Sequence, residues 1–256
     1  LTSLGLEHVR IAGSGSAPLS QDILSWFHKM GLELLEGYGM SENFAYSHMT
    51  KPGRPRVGYV GETMPGVKQR ISDEGEVQIK SPGTMMGYYK DPDKTKEAFT
   101  DDGWLRTGDR GEIDKQGRLK LTGRTKELFK TSKGKYVAPA PIESKVVAHS
   151  QIEMACVAGA DYGQPCCLAM LSENIYPRRN DPEFRAVFEA ELEALKNQIN
   201  DTLDPHEQLQ FVVVVKDQWT IENKFLTPTM KMKRNAIEDE YNPFMEQWYT
   251  SKTSII

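Results

Sequence analysis

The chain has 256 residues, 38% hydrophobic and 27% charged, with a formal net charge of −4. That length and apolar content are enough to bury one large core or two ordinary ones. The acidic balance, with no basic tract and no basic face interleaved with aromatics, excludes nucleic acid as the main partner. The three cysteines, Cys156, Cys166 and Cys167, form neither a disulfide framework nor a metal-ligand spacing, which points to a reducing, cytoplasmic compartment. His8, His28, His48, His149 and His206 show no ligand spacing either. No apolar run is long enough to span a bilayer, and no signal peptide is visible. Leu1 is not an initiator residue and the chain opens at once into an apolar strand, so the expectation is a fragment whose first half lies upstream.

In chain order, residues 8 to 37 read as strand, Gly/Ser loop, helix and strand. The first strand is expected over His8 to Gly13 and the second over Leu32 to Leu35. Between them, Ser20 caps a helix whose Ile23, Leu24, Phe27 and Met30 share one face. This is half of a parallel α/β layer, placed at 1–56. Residues 57–124 change to alternating strands, Val67 to Ile71 and Glu76 to Ile79 joined across Asp73-Glu74-Gly75, then Arg118 to Leu121 after Gln116-Gly117. They predict a small antiparallel, barrel-like unit.

From 125 to 256 a compact α+β domain is expected. Ala138-Pro139-Ala140-Pro141 leads into a helix near Ile142 to Ala148, followed by strands at Ile152 to Ala158 and Pro165 to Leu171. A long helix then carries Phe184, Val187, Phe188, Leu192, Leu195, Ile199 and Leu203 at helical spacing, a core stripe. A valine strand, Phe211 to Val215, and a charged helix near Lys233 to Met245 complete it. The fold class is therefore α/β, with a parallel layer and antiparallel unit followed by an α+β domain, and the boundary lies at Arg124 to Lys126.

The segment Asp102-Gly103-Trp104-Leu105-Arg106-Thr107-Gly108-Asp109, followed by Gly123-Arg124-Thr125-Lys126-Glu127, sets an acid and a base across a predicted hairpin. Asp109 as acceptor and Arg124 as donor can grip the hydroxyls of a ribose. Taken singly, they are a turn aspartate and a surface arginine. The loop Gly13-Ser14-Gly15-Ser16-Ala17-Pro18 lets backbone amides approach a ligand, although a plain tight turn is equally consistent. It is not a dinucleotide fingerprint, because Pro18 stands where the third glycine is needed.

The next strand ends in Glu36-Gly37-Tyr38-Gly39-Met40-Ser41-Glu42, at the edge of a parallel sheet where ligands bind. Tyr38 can stack on a planar base, Ser41 can donate to a phosphate, and Glu42 can hold magnesium. Taken alone, Glu42 reads better as a first-turn helix carboxylate favoured by the dipole. Far downstream, Leu226-Thr227-Pro228-Thr229-Met230-Lys231-Met232-Lys233-Arg234 forms an expected exposed loop. Its Lys231 is either a solvated charge or a cation for phosphate.

In this order the segments resemble the adenylate-forming superfamily of acyl-CoA synthetases, luciferase-like enzymes and peptide-synthetase adenylation domains. Residues 123–139 and 226–231 look most like long-chain fatty acid-CoA ligases. The resemblance implies a two-step reaction in which a carboxylate attacks the α-phosphate of ATP, giving an acyl-adenylate, and the thiol of CoA then displaces AMP. It implies ATP/AMP, Mg2+ and CoA as ligands, and a fatty acid as substrate. It implies nucleotide contacts at Gly15, Ser16, Ala17, Pro18, Gly37, Tyr38, Gly39 and Ser41, with Tyr38 against adenine. It further implies Glu42 as the magnesium ligand, Asp109 with Arg124 as the ribose clamp, Lys126 as a domain hinge, Gly134 beside the pantetheine arm and Lys231 as the adenylation lysine. A parent acting on long-chain acids would associate peripherally with membranes.

The family's Gly/Ser/Thr-rich phosphate loop is absent, which predicts that the fragment by itself does not adenylate. Met230 stands where many members carry glycine before the lysine, leaving Lys233 as the fallback for Lys231. The rival expectations are an enzyme that loads amino or aryl acids onto a carrier protein, and a non-catalytic nucleotide-binding module.

Overall fold

The computed structural model describes residues 1–17, 19–251 and 253–256. The chain divides into two compact units, Leu1–Lys126 and Glu127–Ile256. In the first, β1 (Ala12–Ser14) starts later than the expected His8, since Val9 and Ile11 are exposed and join no strand. The Ser20 side chain accepts from the Asp22 amide at the start of α1 (Gln21–Lys29). Of the four apolar residues expected to share its buried face, only Leu24 is fully enclosed. Ile23 lies toward solvent, because α1 meets the sheet along the Leu24 side alone.

β2 (Leu34–Tyr38) runs parallel to β1, pairing Ala12 with Leu34 and Ser14 with Glu36. β3 (His48–Met49) and β4 (Glu62–Thr63) extend this sheet antiparallel, in the order β1-β2-β3-β4. β5 (Lys68–Ile71) and β6 (Glu76–Lys80) form the hairpin expected across Asp73-Glu74-Gly75. A short helix, α2 (Pro92–Glu97), precedes β7 (Leu105–Ile113) and β8 (Leu119–Arg124). These four strands make a meander in chain order, and Val60 and Gly61 exchange hydrogen bonds with Leu119 on its β8 edge. The barrel-like unit is thus an open sheet curling onto the segment before β4. Its alternate residues Val77, Ile79, Leu105 and Leu119 are all buried, and Tyr38 and Met40 pack against them. The parallel strand that ends in Tyr38 is thereby fixed to the meander.

The second unit opens with the short hairpin β9 (Phe129–Lys130) and β10 (Tyr136–Val137). α3 (Pro139–Val146) begins earlier than the expected Ile142, since Pro139 has its φ preset for the first helical position and no amide to leave unpaired. β11 (Ile152–Ala158) pairs antiparallel with β12 (Cys166–Leu171). Asp181 caps α4 (Pro182–Asn200), accepting from the Glu183 and Phe184 amides. β13 (Val212–Val214) joins β12 in parallel, and α5 (Arg234–Ser251) ends beyond the expected Met245.

Alternation along the strands divides the core between two faces. Ala155, Val157, Cys167, Ala169 and Leu171 meet α3 and α4 on one side. Cys156, Ala158, Cys166, Leu168 and Met170 meet Trp219, Leu226, Ile237 and Met245 on the other. The α4 stripe is Phe184, Phe188, Leu192 and Ile199, with Leu195 and Leu203 partly covered. Val187, expected within it, is 60% exposed on its flank. The three cysteines are buried and free. Residues 254–256 cover the β13 edge, with Ser254 O accepting from Val212 N and Ile256 N donating to Val212 O, each at 2.9 Å. Among the described residues no helix is long and apolar enough to cross a membrane.

The Leu192 side chain is 1% exposed at the centre of the stripe. Leu192→Ala therefore removes buried methyl groups and leaves a cavity, at a cost of about 3 kcal/mol. Urea unfolding followed by the helical circular-dichroism signal checks this, and a loss below about 1 kcal/mol would place the core elsewhere.

Candidate functional site

Two loops meet at the carboxyl ends of the parallel strands. After β1, Gly15 passes so close to β2 that a Cβ on it would lie 3.0 Å from Gly37 O. Ser16 adopts φ 69° and Ala17 follows in the bend, both exposed, while Pro18 lies outside the described residues. After β2, the chain turns sharply through Gly39 into a 3-10 turn at Ser41–Asn43. Ala45 N donates to Met40 O at 2.8 Å, bringing its backbone within 2.5 Å of where a Gly39 Cβ would be. Only glycine fits that approach. The buried Asn43 side chain accepts from Met40 N at 3.0 Å, so Ser41 and Glu42 project from a braced turn.

Asp109 and Arg124 face each other across β7 and β8, and Arg124 Nε donates to Asp109 Oδ1 at 3.1 Å. The register slips at Arg110/Gly111 and again between β6 and β7 at Glu76/Gln78, so β7 is irregular on both sides of Asp109. Gly108 supplies the required φ of 72°, and its amide donates to Glu76 Oε1 at 3.0 Å. Such bulges re-aim a side chain. Here they turn Asp109 toward Tyr38, whose hydroxyl donates to Asp109 Oδ2 at 2.6 Å. Burial first and the Asp109 charge second hold the Tyr38 phenol far above its ordinary pKa, so the phenol stays a donor. His48, opposite Tyr38 on β3, is buried between Ser47 and Gln69 and kept neutral by desolvation. Tyr38, Asp109 and Arg124, widely separated in sequence, thus form one connected group.

Sequence reasoning did not find Tyr88. Its hydroxyl donates to Glu42 Oε1 at 2.8 Å, and Met85 N donates to Glu42 O at 2.7 Å, tying the loop before α2 to the acidic turn. Burial and this bond push the Tyr88 phenol up to about 12. Nothing in the spacing of Gly87-Tyr88-Tyr89 signals this contact, which spans 46 residues.

Lys126 lies in an exposed 3-10 turn, Thr125–Glu127, at the end of the first unit. In the second unit, Gly134 turns the β9–β10 hairpin at φ 73°. Lys231 is exposed at the tip of a closed loop. Thr227 N donates to Lys231 O at 2.8 Å, Lys231 N donates to Thr227 Oγ1 at 3.0 Å, and Leu226 bridges Met232 at the base. Met230 takes φ 60°, the left-handed conformation that glycine adopts without strain, so the departure noted in the sequence carries a backbone cost.

Among the described residues, no three His, Cys, Asp or Glu side chains cluster to hold a metal ion. A lone carboxylate such as Glu42 suits magnesium only when phosphates and water complete its octahedron.

Residues 2–89 match the AMP-binding enzyme family, and residues 127–253 match the AMP-binding enzyme C-terminal domain. The chain is 32% identical over 261 residues to the long-chain-fatty-acid–CoA ligase FadD15 of Mycobacterium bovis, covering 95% of this chain and 42% of the relative. It is 32% identical over 276 residues to human long-chain-fatty-acid–CoA ligase 1, covering 98% of this chain and 39% of the relative. The crystal structure of ATP-bound MatB from Rhodopseudomonas palustris superposes with a TM-score of 0.70 at 28% identity, covering 91% of this chain and 45% of that one. The chain therefore spans about two fifths of the length of the curated relatives it matches.

Glu36, on β2 beside this site, lines a small cleft with Leu24, His28, Thr50 and Arg56. Burial raises its pKa from 4.5 to about 7. The folded chain therefore holds a proton that the unfolded chain releases, and the stability this provides, complete below 4.5, is lost as pH rises through 7. Glu36→Gln should leave stability unchanged at pH 4 and raise it at pH 8 by on the order of 1 kcal/mol. Urea titrations at both pH values check this, and an equal gap at the two would refute it.

Proposed function

Given that the chain belongs to the adenylate-forming superfamily of AMP-binding enzymes, we propose that the whole protein is an AMP-forming acyl-CoA synthetase acting on long-chain fatty acids. The observation that carries the reading is the Asp109 carboxylate held between Tyr38 and Arg124. An ionised carboxylate has about four lone-pair directions. One on each oxygen is engaged, which leaves one on each for the two neighbouring hydroxyls of a ribose. Tyr38, Gly37 and Gly39 would lie along the nucleotide, with Gly15, Ser16 and Ala17 on the adjoining loop and Ser41 at phosphate.

Glu42, steadied by Tyr88, would hold magnesium together with ATP oxygens, and the ion would neutralise phosphate charge. In the first step, a fatty-acid carboxylate oxygen bonds to the α-phosphorus while the α–β bridge bond breaks, releasing pyrophosphate. Lys231, presented from its closed loop, would offset the charge that builds on the α-phosphate. In the second step, the CoA sulfur bonds to the acyl carbon, the thiol proton passes to solvent, and AMP leaves with the electron pair of the broken acyl C–O bond of the mixed anhydride. Lys126 would serve as the hinge that exchanges the Lys231 loop for the Gly134 hairpin, because a thiol needs the space that the lysine occupies. The names of the relatives, long-chain-fatty-acid–CoA ligases, support the choice of acid and acceptor.

In the full-length protein, Lys231→Ala is expected to slow acid-dependent pyrophosphate exchange by roughly two to three orders of magnitude, while thioester formation from supplied acyl-adenylate persists. Equal loss in both half-reactions would make Lys231 a structural residue. Exchange supported by aryl or amino acids and not by fatty acids would overturn the substrate assignment.

A further inference from the structure

Among the described residues β11 is an edge strand that pairs only with β12, so the outward amide and carbonyl of Val157 need partners. Two side chains supply them. Glu143, from α3, accepts from Val157 N at 2.7 Å, and Arg234, the first residue of α5, donates to Val157 O at 3.0 Å. The same two residues are bound to each other, with Arg234 Nη2 donating to Glu143 Oε1 at 2.7 Å and Oε2 at 3.0 Å. Both side chains are only 12% exposed. α3 packs on one face of the sheet and α5 on the other, so the pair wraps the edge and joins the two layers.

Each partner leads directly from a segment singled out above. Glu143 follows the Gly134 hairpin, through buried Val137 and Ile142 on α3. Arg234 stands three residues after Lys231, and the intervening Lys233 N donates to Phe225 O at 2.8 Å to close the loop's base. Charge-assisted forks fix geometry as well as attraction.

We propose that the Glu143–Arg234 pair at the β11 edge is a positioning element that holds the Lys231 loop and the Gly134 hairpin in one fixed relation, so that the two working edges of the second unit move as a single body. This rests on the reading of Lys231 and Gly134 given above. Neither partner is among the residues assigned above to substrate. The pair acts by setting where α5 begins, and hence where the loop presents its ammonium. Arg234→Lys keeps the charge and loses the fork. The double variant Glu143→Met with Arg234→Met replaces the pair by apolar groups of similar reach, so that no unpaired charge is left, and removes both side-chain partners of Val157.

Hydrogen exchange on the 256-residue chain reads the amides of Thr227, Met230, Lys231 and Lys233, all hydrogen-bonded within the loop. In both variants they should exchange about tenfold faster, while the β12 amides keep their protection. In the full-length protein, the turnover rate of pyrophosphate exchange should fall about tenfold with the KM for ATP unchanged. Loop amides that keep their protection in both variants would overturn the proposal. So would loss of β12 protection alongside the loop in both, which would make the pair a plain fold contact, and so would a loosened loop with undiminished turnover in a protein whose adenylation Lys231→Ala does slow. The exchange arm needs no catalysis. If Lys231→Ala leaves adenylation intact while the variants still free the loop, the functional reading fails and the tether stands.

Discussion

The first unit depends on one shared carboxylate. Asp109 is reached by a phenol from the end of the parallel sheet and a guanidinium from the adjacent meander strand, so a single side chain links the two sheets. Its value is geometric more than energetic. Arg124 is 57% exposed, and an ion pair so open to water contributes well under about 1 kcal/mol. The buried parts around it do the holding: Val77, Ile79, Leu105 and Leu119 beneath, the Gly108 bulge, and the Thr107 hydroxyl, which donates to Val77 O at 2.7 Å and accepts from Asp109 N at 3.1 Å. A carboxylate aimed in this way needs little reorganisation to receive a sugar, which is the form of preorganisation that binding rewards.

The second unit solves a different problem, that of a three-stranded sheet with two open edges. Residues 254–256 close one edge by backbone pairing, and Glu143 with Arg234 close the other by side chains. The β11 edge is also where the two layers are tied together. A small sheet closed at both edges and covered on both faces makes a stiff carrier for exposed loops. The Lys231 loop carries the strained Met230 backbone, which the hydrogen bonds around it hold in shape.

The sequence made local patterns legible. The Ser20 and Asp181 caps, the hairpin at Asp73-Glu74-Gly75 and the α4 stripe follow from spacing or turn chemistry acting within a few residues, and the pairing of Asp109 with Arg124 follows from the β7–β8 hairpin that joins them. Boundaries drifted where a neighbour decides the outcome. Ile11 carries strand propensity and stays exposed at 77%, while Val187 carries helical spacing and falls on the flank of its stripe. Contacts made across the fold were invisible. Tyr88 reaches Glu42 across 46 residues and Arg234 reaches Glu143 across 91, and no period or motif encodes such distances. The raised pKa of Glu36 was equally hidden, since burial belongs to the cleft and not to the residue. Pro18 lies outside the described residues.

The most direct test of the account measures what Asp109 recognises. Calorimetric titration of the full-length protein should find AMP bound at least about tenfold more tightly than its 2′,3′-dideoxy analogue, the preference expected when two hydroxyls meet an ionised acceptor. In Asp109→Ala that preference should shrink to within about twofold. Equal affinity for both nucleotides in the unaltered protein, or a preference that survives the substitution, would contradict it.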